Sequence, residues 1–240
     1  MFSKLIVLAL AVSPLVAAHG KVAVVSGDAG GNGTALAIKG AVVPGPGPNS
    51  KTEVDTTVFS STKIQTDGLG RTTGSGKNKV TMLNQAMALS GTTLPQVSAT
   101  NGTIEGTFHI VTTDGAGPIQ AVLDPTATGK FSNGTLLKTV TQVPGNNGNI
   151  KAPKQRSLWT RALVAAGIVK RAANVNEDFP MKFSVPAGTT CSGTINGISN
   201  VCLVKIANSN KAGPFGGVVA VQIAGQTAGA AAKRAVEFSA

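Results

Sequence analysis

GTIEGTFHIVTT (102–113) is the stretch that decides the fold. Ile104, Phe108 and Ile110 fall on one side of an extended chain, and His109 and Val111 on the other. That alternation is the pattern of a half-buried strand. Shorter runs repeat the theme at 21–25, 35–43, 54–59, 119–123, 135–143, 181–185, 199–206 and 217–223. Turn-rich stretches separate them, among them SGDAGGNG (26–33), PGPGPN (44–49) and DGLGRTTGSGKN (67–78), which reads as a loop. Glycine, at 30 of 240 residues, is about twice its usual share and charged residues, at 13%, about half of theirs. A chain so composed suits an all-β domain with tight turns. The expected architecture is an immunoglobulin/fibronectin-like β-sandwich with long loops and one or two short helices. Val80, Leu83 and Met87 keep helical spacing and predict one such helix over 79–90.

The chain opens MFSKLIVLALAVSPLVAAHGK (1–21). Lys4 precedes an apolar core, Pro14 breaks it, and Val16 and Ala18 are the small residues a signal peptidase wants. Residues 1–18 therefore read as a secretory signal, too short to span a membrane. Cleavage after Ala18 makes His19 the mature N-terminus. No later stretch has the roughly 20 apolar residues of a transmembrane helix. Residues 19–226 form one expected domain of a secreted or wall-associated monomer, and 227–240 a flexible tail.

The net charge is +11, and +10 without Lys4. A secreted basic protein meets acidic polysaccharide or wall material sooner than nucleic acid. The segment KAPKQRSLWTRALVAAGIVKR (151–171) carries six basic residues and no acid. Its apolar residues keep helical spacing, so a basic amphipathic helix is expected as an insertion between strands. Lys154, Arg156 and Arg161 are its candidate surface contacts, and solvated charges on a capping helix are the plainer account. Two dibasic pairs, Lys170-Arg171 and Lys233-Arg234, are possible processing sites. In a secreted chain Cys191 and Cys202 are expected to form a disulfide contributing about 2–3 kcal/mol. Asn-Gly-Thr sequons at Asn32, Asn101 and Asn133 mark candidate glycosylation sites, and Asn-Gly is equally a hairpin turn.

An ordered set of motifs runs through the chain: SGDAGGNGTALAI (26–38), GTTLPQVS (91–98), FHIVTTDGAGP (108–118), NVNEDFP (174–180), PAGTTCSG (186–193), SNVCLVK (199–205) and AGPFGGVVAVQ (212–222). It resembles the Egh-like family of fungal secreted virulence factors, the appressorium-specific proteins of the Mas and Gas type. The resemblance covers almost the whole mature chain. It implies a fungal secreted or cell-surface protein linked to host penetration, and no defined biochemical activity. The chain departs from the family in having fewer cysteines: none in 60–78, and Ile206 in place of an expected one.

The two histidines, His19 and His109, raise a chemical question. A free N-terminal histidine offers its α-amine and a ring nitrogen, and a second imidazole adds a third donor. Three nitrogens in a T suit Cu(II), which favours tetragonal N,O ligation. The arrangement is similar to the histidine brace of lytic polysaccharide monooxygenases, secreted β-sandwich enzymes that cleave polysaccharide oxidatively. One copper ion is the cofactor so implied, and cell-wall or host polysaccharide the partner. Brace enzymes often carry an axial aromatic. With no tyrosine in the chain, Phe215 is the candidate, and a core aromatic beside a glycine turn is its plainer account. Asp114 is a candidate oxygen ligand or, more simply, a turn residue. Copper binding and catalysis are separate expectations, because one Trp and no Tyr supply little of the flat aromatic platform that grips polysaccharide. The rival is a non-catalytic wall or surface interaction protein using its basic helix. No GxSxG elbow, P-loop or telling carboxylate pair appears.

Overall fold

The computed structural model describes residues 20–40, 54–151 and 174–226. The signal at 1–18, His19, most of the basic segment with Lys154, Arg156 and Arg161, both dibasic pairs and the tail at 227–240 lie outside the described residues.

The fold is all-β. Its strands are β1 (Gly20–Gly27), β2 (Gly30–Gly33), β3 (Thr57–Val58), β4 (Arg71–Thr72), β5 (Gly76–Lys77), β6 (Gln96–Val97), β7 (Thr103–Thr112), β8 (Ile119–Asp124), β9 (Thr135–Thr141), β10 (Asn174–Ser184), β11 (Gly193–Ile195), β12 (Ile198–Asn208) and β13 (Phe215–Ile223). A 3-10 turn at Val80–Met82 leads into helix α1 (Leu83–Ser90), where the spacing predicts a helix. Hydrogen bonding runs in one continuous path, β2-β1-β7-β10-β9-β8-β12-β13-β3-β4-β5. Every pair on that path is antiparallel; β6 joins β13 in parallel.

The sheet curls until β13 comes against β1. A Cβ on Gly217 of β13 would lie 2.6 Å from the Ala35 Cβ and 3.1 Å from the Val22 Cβ, so only glycine lets β13 approach β1 this closely. Inside the curl lie Val22, Ile104, Phe108, Ile110, Ile206 and Val219. A second core covers the opposite face of β8, β12 and β13, where Leu36, Phe59, Leu83, Phe131, Leu203 and Val218 pack together. The strand β12 is thus buried on both faces, which is why VCLVKIA reads as a continuous run, whereas β7 alternates because one of its faces is only partly covered.

Two expectations need correction. Residues 35–38 are buried yet form no strand; the Leu36 N–H instead donates to the Val218 carbonyl at 2.8 Å. The expected loop at 67–78 contains the ribbon of β4 and β5. Cys191 and Cys202 are disulfide-bonded and fully buried. The asparagines of the three sequons are all exposed.

Candidate metal centre around His109

Three neighbouring strands build this site. In the antiparallel register, Lys21 of β1 and Asp178 of β10 both lie directly opposite His109 of β7. Directly opposed residues carry their side chains on the same face. Lys21, His109 and Asp178 therefore form a row on the face away from Phe108 and Ile110, where alternation puts His109.

Both ring nitrogens of His109 have partners. Nδ1 lies 2.6 Å from Asp178 Oδ1, and Nε2 lies 3.1 Å from Asn176 Oδ1. The second contact depends on a bulge. The register of β10 shifts between Asn174 and Glu177, and Asn176 sits there with a left-handed φ of 56°. A bulge re-aims a side chain, and this one brings two residues of a single strand to one imidazole. The His109 side chain is 14% exposed and that of Asp178 67%, so the ring is seated while its carboxylate partner faces solvent.

The row is closed at the Lys21 end. Lys21 is only 6% exposed, and burial pushes its pKa down against the pull of the Asp55 and Asp178 carboxylates. Asp55 is buried too. Its Oδ1 accepts the Lys39 N–H at 2.7 Å, and its Oδ2 has no hydrogen-bond partner among the described residues.

The other expected site residues stand on other parts of the fold. Gly20, next to His19 in the chain, opens β1 and pairs with Ile110. A Cβ on Gly20 would lie 2.2 Å from the Gly115 carbonyl oxygen and 2.4 Å from the Phe108 ring, so the chain enters β1 pressed against the DGAGP turn. In that turn, Asp114 accepts the Thr112 hydroxyl at 2.7 Å, and burial raises its pKa. Phe215 stands on β13, is buried, pairs with Val58 and donates its N–H to Asn208 Oδ1 at 2.9 Å. It is a core aromatic beside a turn, as its plainer account has it. Among the described residues, no three His, Cys, Asp or Glu side chains converge as a metal cluster.

Lys21, Asn176 and Asp178 are the site residues that sequence reasoning misses. Their only signal is cross-strand register, which one sequence does not carry.

A family model for the Egh16-like virulence factors matches residues 17–216, a span that holds every residue of this site. The chain belongs to that family. It is 35% identical over 239 residues to the appressoria-specific virulence factor GAS1 of Pyricularia oryzae, a match covering 98% of this chain and 84% of GAS1. It is also 37% identical over 140 residues to the appressoria-specific virulence factor GAS2 of the same organism, covering 58% of this chain and 40% of GAS2. No solved structure matches it. As an Egh16-like protein it falls among virulence-associated fungal proteins. No helix among the described residues is long and apolar enough to cross a membrane.

Proposed function

We propose that the mature Egh16-like chain is secreted, begins at His19 and holds one copper ion between the His19 α-amine, the His19 ring and the His109 ring. One observation carries this reading: Gly20 pairs with Ile110, the residue beside His109. A trans peptide sets the Cα of residue 19 about 3.8 Å from that of Gly20. On the proposed reading, that single step along the chain is what would bring His19 to His109. The donor chemistry fits. With Nδ1 turned to Asp178, Nε2 is left facing the exposed Asn176 amide, which can swing aside. Lys21 would repel a dication, and the Asp55 and Asp178 carboxylates near it offset that repulsion. Bound copper would supply oxidative cleavage of wall polysaccharide, given a reductant and peroxide or oxygen. The protein's own part is to hold the ligands on the rigid β1–β7 ladder. Immunoglobulin-like packing of the two halves of the curled sheet belongs to the same proposal.

The test is copper titration of the mature protein, made with His19 as its true N-terminus, followed by electron paramagnetic resonance. A tight one-to-one type 2 Cu(II) spectrum is expected, lost in His19→Ala and in His109→Ala. Weak uptake indifferent to both substitutions overturns the reading.

A non-catalytic surface role has one described feature in its favour. In the β4–β5 ribbon, Arg71 stands directly opposite Lys77, both exposed, and no described acidic side chain forms an ion pair with either. Like charges directly opposed across a ladder are unfavourable, and a polyanion would relieve the repulsion. If this surface is the function, the Arg71→Glu/Lys77→Glu variant loses its salt-dependent retention on an acidic polysaccharide and keeps its copper spectrum. Unchanged retention removes the ribbon from consideration.

A further inference from the structure

We infer that Asp178 is the positioning residue of the His109 metal ligand: it holds the proton on Nδ1 and so makes Nε2 the atom that binds copper. The inference rests on the copper reading for its purpose and on described geometry for its content.

Both partners of the ring come from β10, two residues apart, Asp178 at Nδ1 and Asn176 at Nε2. Rotating the imidazole by half a turn about its Cβ–Cγ bond would put carbons where the nitrogens are and break both contacts. The ring is therefore held in one orientation. A carboxylate only accepts hydrogen bonds, so the short contact at Nδ1 fixes the proton there. Neutral His109 then carries its lone pair on Nε2. Asn176 suits either state of that nitrogen, because its amide oxygen and nitrogen exchange places by a half-turn. Asn176 is exposed on a bulge, outside the regular β7–β10 register, so its side chain is free to leave without unpairing the ladder.

An ordinary surface ion pair accounts for less. Such a pair is worth about 0–1 kcal/mol and needs neither partner fixed. Here the histidine is seated at 14% exposure, and the strand beside it carries a bulge that meets its second nitrogen. Carboxylates that orient a ligating histidine in this manner raise metal affinity by about 10–100-fold.

Two measurements on the mature protein test it. Nitrogen-15 NMR of the metal-free protein, at a pH where the ring is neutral, should show His109 with its proton on Nδ1, and a loss of that preference in Asp178→Ala. A wild-type ring protonated on Nε2 overturns the inference. Copper titration against a competing chelator should show affinity weakened about 10–100-fold in Asp178→Ala. The loss should be smaller in Asp178→Asn, which keeps an acceptor oxygen, and absent in Asn176→Ala. The Cu(II) resonance of Asp178→Ala should broaden into more than one species. Copper uptake that is lost in His109→Ala but unchanged in Asp178→Ala overturns the role of Asp178 and leaves the copper reading standing. No uptake by the wild type overturns the copper reading itself. Asp178 is mostly exposed, so its variants are expected to fold, and Asp178→Asn covers the case in which the alanine does not.

Discussion

Replacing Asp124 by alanine should lower the unfolding free energy by about 3–4 kcal/mol. Asp124 ends β8 at 1% exposure, and no described cation forms an ion pair with it. Its charge is held by the turn that follows. Oδ1 accepts the Thr126 N–H at 2.8 Å and the Thr126 hydroxyl at 2.6 Å, and Oδ2 accepts the N–H groups of Thr128 at 2.8 Å and Gly129 at 2.7 Å. Those bonds shape a turn that includes Ala127 in the left-handed region, at φ 54°. The Gly129 carbonyl then accepts the Gly68 N–H at 2.9 Å, tying the turn to the loop over the second core. Hydrogen bonds to a charged group contribute about 1.5–3 kcal/mol each, and cutting all of them orphans the buried Gly129 N–H. The total stays below their sum because Thr126 and Thr128 are exposed and can bond water. Urea denaturation gives the value directly. Asp124→Asn should cost less, since its amide oxygen still accepts while its NH2 confronts N–H donors. A loss under 1 kcal/mol for the alanine would mean the turn forms without its carboxylate.

The sequence made the strands that alternate or run unbroken easy to see, and for a physical reason. β7 alternates because one face packs inside the curl, and β12 is uniformly apolar because it is covered on both faces. Residues 35–38 mislead because periodicity registers burial and cannot tell a buried connection from a strand. The candidate site was hidden in β10. Its first half, NVNEDFP, is polar and contains Pro180, and a proline normally argues against an interior strand. The proline is tolerated because β10 pairs with β9 only at 182–184, which leaves Pro180 with a single partner strand, β7. Sequence alone therefore starts the strand at 181, past Asn176 and Asp178. His109 itself was legible, and so was its face. Its neighbours follow only from the order β1-β7-β10, which is a property of the whole sheet.

Lys205 should make the protein more stable in mild alkali than at neutral pH. It lies in the middle of β12 at 1% exposure, in the second core. Its Nζ donates to the Thr66 carbonyl at 2.8 Å and lies 4.6 Å and 5.4 Å from the ring centres of Phe59 and Phe131. Burial lowers its pKa from 10.5 to about 8, against a partial pull upward from Asp67. The sign follows from proton counts. Below pH 8 both the folded and the unfolded chain hold the proton, and the folded state bears the full cost of a buried ammonium, about 3 kcal/mol at 1.36 kcal/mol per pKa unit. Between about pH 8 and 10.5 the unfolded state binds more protons than the folded one, so stability rises with pH through that window. Lys205→Met isolates the effect. The variant keeps the length of the stem, loses the charge cost, and gives up the Thr66 bond and the two ring contacts. These changes oppose one another, so its stability at pH 7 should stay within about 1 kcal/mol of the wild type. As pH rises from 8 to 10.5, the wild type should gain on the methionine variant by up to about 3 kcal/mol. Lys205→Ala is relieved of the same charge cost but also leaves a cavity between two phenylalanines. It should cost about 3 kcal/mol at pH 7, and more above pH 8 as the wild type gains stability. Urea melts of the three proteins between pH 7 and 10.5 decide the matter. A difference between wild type and Lys205→Met that stays constant across that range would mean the ammonium is held by Thr66 and the two rings as well as water holds it.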